Sequence, residues 1–182
     1  MGKIRFGLSN VHYAVFEDGH FGTPIALPGA VNMDLDTVGE KSTFYADNIP
    51  YAESSTNGGY TGSLEIADIP KDFQTDVLGF VKDQNGAILE DADAQSKPFA
   101  LLYEISGNVD EQRFVFYNVT ASRPKLSAST KQENADAKTA TFDFTVGVHE
   151  FDGHNYVKAV LDTKDTGYDT FMSKVYEPKL TA

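Results

Sequence analysis

The 182-residue chain has no cysteine. It can form no disulfide framework, no thiolate metal site and no cysteine nucleophile, and a chain of this kind is expected to assemble in a reducing cytoplasm. Tryptophan is absent too, although sugar-binding β-sandwiches commonly stack their ligands on exposed indoles. Basic residues are scarce: 15 Lys and Arg stand against 27 Asp and Glu, a formal net charge of −12. Proteins that grip nucleic acid neutralise phosphates with Lys and Arg, so this balance argues against affinity for DNA, RNA or anionic lipid. No run of about 18 apolar residues occurs, so no helical membrane insertion is expected. The opening MGKIRFGLSNVHYAVF lacks the apolar block of a secretory signal. The plainest role for the excess acid is solubility.

What the chain does have is aromatic bulk. Apolar residues make up 41%, with 13 Phe and 9 Tyr, and a chain of this length buries roughly 70% of its unfolded surface. We expect a single domain over residues 1–182, with no internal repeat and no dividing linker.

Period-two patterning dominates. In GAVNMDLD (29–36), Val31, Met33 and Leu35 alternate with Asn32, Asp34 and Asp36, giving one oily and one acidic face. GYTGSLEIA (59–67) sets Tyr60, Leu64 and Ile66 against Thr61, Ser63 and Glu65. PFALLYEIS (98–106), RFVFYNVTAS (113–122) and NYVKAVLDT (155–163) read as strands. ATFDFTVGVHE (140–150) groups Phe142, Phe144, Val146 and Val148 on one face. DQNGAI (83–88), GNVDEQ (107–112) and KQENADAK (131–138) read as turns between strand arms. Two segments suggest short helices. IPKDFQTDVLGF places Phe73, Val77 and Phe80 together between Pro70 and Gly79, and GYDTFMSKVYEP (about 167–176) spaces Phe171 and Val175 four apart before Pro178. The fold class is therefore mostly β (α+β). A long polar stretch, about 48–58, separates two strong strands, and such loops are usually functional or mobile.

Catalytic and metal chemistry find little support. HEFDGH gathers His149, Glu150, Asp152 and His154, but the spacing is not H-E-x-x-H, and turn polarity explains it better than zinc. DQNG and DTKDTGYD (162–169) lack the EF-hand order, so turn chemistry explains these Asp-rich stretches. No G-x-S-x-G, P-loop or dinucleotide fingerprint is present. Asn118-Val119-Thr120 matches a glycosylation sequon inside an expected strand. No catalytic residue, cofactor or metal is assigned, which points to a binding or structural module rather than an enzyme. A paired-carboxylate hydrolase stays open, because such pairs form in space rather than in sequence.

Several stretches, in order along nearly the whole chain, carry a resemblance: RFGLSNVHYA (5–14), GTPIALPGAVNMDLD (22–36), FYADN (44–48), NGGYTGSLEIADIPKDF (57–73), LGF, DQNGAILEDAD, KPFALLYE (97–104), FYNVTASRP (116–124) and FMSKVYEP. Together they are similar to the major tail proteins of long-tailed siphophages of Gram-positive bacteria, the subunits of the tail tube. The resemblance implies two packed β-sheets forming a sandwich or partial barrel with a flanking short helix, the fold shared with contractile-injection and type VI secretion tubes, and a closing helix near the C-terminus. It implies hexameric rings stacked into a tube that conducts DNA at ejection. The partners implied are further copies of the chain, a tape measure protein in the lumen, and the tail terminator and distal tail proteins. The location implied is the virion tail, assembled in the bacterial host cytoplasm. On this resemblance, Asn48, Ile49, Pro50, Tyr51, Glu53, Ser54, Ser55, Thr56, Asn57 and Gly58 form the loop that meets neighbouring subunits and the next ring, disordered in the monomer until assembly.

The implied tube gives the acidic strand face a purpose. Four strands from each of six subunits, roughly 24 at about 4.8 Å, close a ring near ~37 Å across before tilt widens it. A polyanion must pass without sticking, and lumenal acids repel phosphate where Lys or Arg would trap it. Asp34, Asp36 and Glu65 are the candidate lumen-facing acids; the alternative places them on the outer wall or at a subunit seam. Other readings of the chain are a terminator or distal tail protein, and a monomeric carbohydrate-binding β-sandwich.

Overall fold

The computed structural model describes residues 7–39, 41–46, 49–106, 111–125 and 139–179. In chain order the elements are β1 (Leu8–Glu17), β2 (His20–Phe21), β3 (Ile25–Ala26), β4 (Ala30–Thr37), β5 (Lys41–Ala46), β6 (Ile49–Ser55), β7 (Tyr60–Ile66), α1 (Lys71–Asp76), β8 (Val81–Lys82), β9 (Ile88–Leu89), β10 (Phe99–Ile105), β11 (Gln112–Ala121), β12 (Ala140–Gly147), β13 (His149–Phe151), β14 (His154–Tyr156) and β15 (Lys158–Asp162). The main sheet runs β2-β1-β10-β11-β12-β7-β4, with β3 added to β1 and β15 to β11. Every pairing in it is antiparallel.

β11 is the organising strand. One edge pairs with β10 along its length. The other edge is divided, Gln112–Phe116 pairing with β15 and Asn118–Ala121 with β12. Alternation along β10 and β11 therefore serves two cores. Phe99, Leu101, Tyr103, Phe114, Phe116 and Val119 point into the larger one, with Leu64 and Ile66 from β7, Phe142, Phe144 and Val146 from β12, and Phe73 and Val77 at α1. Ala100, Leu102, Val115 and Tyr117 point the other way, under Tyr168, Phe171 and Val175 of the C-terminal segment.

α1 seats Phe73 edge-on against Tyr13 and Phe99, with centroids 5.1 and 5.8 Å apart, and the Tyr13 hydroxyl donates to Asp76 Oδ2 at 3.1 Å. Burial and the Asp76 charge push the Tyr13 phenol well above its ordinary pKa. The helix ends where expected, with Gly79 at φ +74°, a left-handed backbone that favours glycine. Two tight hairpins, Asp18-Gly19 between β1 and β2 and Asp152-Gly153 between β13 and β14, hold positive φ at both turn residues. That is what a two-residue type I′ connection requires.

Four expectations change. The closing segment is a run of turns rather than a helix. Tyr168, Phe171 and Ser173 donate their amides three residues back, and the Thr170 and Ser173 hydroxyls take the carbonyls of Gly167 and Thr170 at 3.2 and 2.8 Å. Such hydroxyls compete with helical bonding, yet the four-residue spacing still lays Phe171 and Val175 on one buried face. The stretch expected as a long loop is largely strand, since β6 pairs with β5 from Lys41↔Ser55 to Ala46↔Ile49. Val31 leaves the oily face: the register slips between Ala30 and Asn32, and Val31 stands 57% exposed while Met33 and Leu35 stay against the core. Val148 is also exposed, because β12 ends at Gly147 before the chain enters β13. KQENADAK and residues 107–110 lie outside the described residues.

Candidate functional site: an acidic sheet face

β4, β7 and β12 bury one face only. Leu64, Ile66, Phe142, Phe144 and Val146 go inward, so period two sends their neighbours outward. The register aligns these outward positions in rows that end on the strand β11 and the residues just after it. Asn32 lies beside Glu65 and Thr141, with Lys125 bridging Thr141. Asp34 lies beside Ser63 and Asp143, and the Ser122 amide donates to the Asp143 carbonyl. Asp36 lies beside Thr61, Thr145 and Thr120.

The close packing of this patch depends on glycine. A Cβ on Gly62 would meet the Asp34 carbonyl at 2.4 Å. At Gly59, φ is +94° and a Cβ would fall 1.8 Å from the Val146 carbonyl oxygen, so no L side chain fits where β7 begins beside β12.

Asp34, Asp36 and Glu65 thus share one face. A fourth acid, Asp143, sits among them, lining a shallow trough with Asp34, Asp36, Ser63 and Thr145. Its position in the T-F-D-F-T alternation was the available signal. The Asn32 side-chain amide donates to Asp34 Oδ2 at 2.9 Å, and the Thr139 hydroxyl donates to Glu65 Oε1. Lys125 Nζ meets Asp143 Oδ2 at 2.7 Å. Apart from Val31, exposed at the start of β4, the outward positions of this grid are polar, and no other element covers it among the described residues.

The other candidates lie elsewhere. Ile49, Pro50, Tyr51, Glu53, Ser54 and Ser55 run along β6, and Ile49 is 64% exposed. Thr56, Asn57 and Gly58 return the chain to β7, with the Gly59 amide donating to Asn57 Oδ1 at 3.1 Å and the Gly58 amide to the Val38 carbonyl. Asn48 lies outside the described residues. In HEFDGH the two histidines separate. His149 enters an aromatic nest with Phe16, Phe21 and Phe151 at 4.8, 5.0 and 4.7 Å, where burial lowers its pKa, while His154 is exposed beside Tyr156. Among the described residues, no three His, Asp or Glu are placed to hold a metal, and no helix is long and apolar enough to cross a membrane.

This arrangement meets a family model described as phage tail tube protein, which matches residues 34–177. The chain belongs to that family. Its members are structural proteins of the virion tail, and the mostly β fold is the family's. No curated protein matches the chain. Among solved structures, a chain of the PVC sheath–tube complex of an extracellular contractile injection system superposes with a TM-score of 0.50 at 8% identity, covering 85% of this chain and 89% of that one. A chain of the anti-feeding prophage baseplate gives 0.48 at 7% identity, covering 90% and 99%. Hcp1 from Flavobacterium johnsoniae gives 0.35 at 10% identity, covering 82% and 99%.

Proposed function

We propose that this tail tube protein forms hexameric rings that stack into the conduit for DNA, with the β4–β7–β12 face turned to the lumen. The observation that carries the reading is the register bringing Asp34, Asp36, Glu65 and Asp143 onto one face that no other element covers among the described residues. An acidic wall offers a passing duplex no counterion release and repels its phosphates, so nothing holds the DNA in transit. Six chains at −12 each give a ring a formal charge of about −72, which favours passage over binding.

Among the described residues β4 is an edge strand, paired with β7 on one side. Natural sheets cover or pair such edges, and a neighbouring subunit does so in a closed ring. The β5–β6 arm, with Thr56, Asn57 and Gly58 at its base, reaches neighbouring subunits and the next ring. A tape measure protein fills the lumen during assembly, and terminator and distal tail proteins cap the ends. The source is a long-tailed phage of a Gram-positive host, in whose cytoplasm the tube is built.

Negative-stain microscopy across concentration, beside light scattering, tests the assembly. Six-fold rings or hollow tubes are expected, unaided or after addition of a tail-tip complex and tape measure. A strict monomer under both conditions would overturn the tube. A terminator or distal tail protein would cap tubes without extending them.

A further inference from the structure

Among the described residues, the outward grid carries four acids and one cation, Lys125. A lysine is the group most able to catch a phosphate in a wall meant to release it. Lys125 is 75% exposed and Asp143 49%, and a pair this open adds little to stability. Its geometry is nonetheless tight. Paired backbone bonds between Lys125 and Thr141, at 2.7 and 3.2 Å, fix the lysine's root opposite the residue two before Asp143. Nζ then lies 2.7 Å from Oδ2.

We infer that Asp143 masks Lys125, cancelling the one cation of this face among the described residues so that a polyanion cannot bind it there. This rests on the lumen reading above. From more than a few ångströms a paired lysine presents a dipole rather than a charge, and that field dies within the Debye length of about 8 Å at physiological salt. Without its partner the ammonium would stand free, repeated in every subunit of the tube. Arg123, two residues earlier, is turned away to Glu90 and the Ala92 carbonyl.

The test uses tubes assembled from the full chain, or tails from particles carrying the variants, and a short fluorescent DNA duplex. Asp143→Asn tubes should retain at least about ten-fold more duplex than wild type at low salt, falling with a log–log salt slope of about −0.9 per phosphate engaged. Asp36→Asn removes the same charge but uncovers no cation, and should behave as wild type. Lys125→Gln combined with Asp143→Asn should restore wild-type release. Retention by Asp143→Asn no greater than by Asp36→Asn would overturn the masking. Because the chain lacks cysteine, Thr145→Cys gives a single thiol that reports the face separately. A maleimide carried on ferritin, too wide for the bore, should label free subunits and spare assembled tubes. Labelled tube walls would put this face outside, and the lumen reading would fall with the inference. A protected thiol beside equal retention would sink the masking alone.

Discussion

β10–β11 and β4–β7 belong to one sheet and differ in how many faces they bury. Residues 99–103 and 114–117 are buried without interruption, because the C-terminal segment covers one face and α1 with β7 and β12 covers the other. β4 and β7 have the same pleat but, among the described residues, no element over their outer side. The apolar runs of the first pair and the alternation of the second, broken only at the Val31 bulge, follow directly. Coverage, not strand propensity, separates structural strands from the strands free to meet something else. Even the charge inside the covered region is committed: Arg113 Nε bonds Glu104 Oε2 at 3.1 Å, caps the Tyr168 carbonyl and lies 3.9 Å over the Tyr168 ring, tying the covering segment down.

That contrast can be broken in order of effect. Phe116→Ala, in the doubly covered strand, should cost about 3–5 kcal/mol, read as a lower urea midpoint. Arg113→Met should cost about 3 kcal/mol, because it leaves the buried Glu104 carboxylate unpaired, and limited proteolysis should then cut first after residue 163. Gly59→Ala should cost at least about 2 kcal/mol from its left-handed backbone alone, seen as a lower thermal midpoint. His149 reports on the nest between β1, β2 and β13. Burial holds its folded pKa below the ordinary 6.5, so stability present above that value should fall as pH drops through and below it. His149→Gln should flatten the urea midpoint between pH 7 and 5. Asp34→Asn and Asp36→Asn should change stability by no more than about 0.5 kcal/mol. A loss comparable to that of Phe116→Ala would mean the acidic face is structural after all.

Much of this was legible because alternation is a local signal. The strands at 30–37, 60–66, 99–105, 112–121 and 140–147 follow from it, as does the common face of Asp34, Asp36 and Glu65 once β4 and β7 pair. β1 was not legible: LSNVHYAVFE mixes Asn and His into its run, and Asn10 takes positive φ beside a register slip. The bulge that expels Val31 depends on pairing with β7, which no window within β4 contains. The turns at the C-terminus came from hydroxyls outcompeting a helical pattern, and the pattern alone could not weigh them. Asp143 was visible as an outward residue, but its place beside Asp34 arises only through β7 standing between them.

The most direct test is a cryo-electron map of the assembled tube at a resolution that traces strands. Asp34, Asp36 and Asp143 should stand on the wall of the bore, with β4 paired to a neighbouring subunit. A map with that face on the outer wall or sealed in a subunit seam would contradict it.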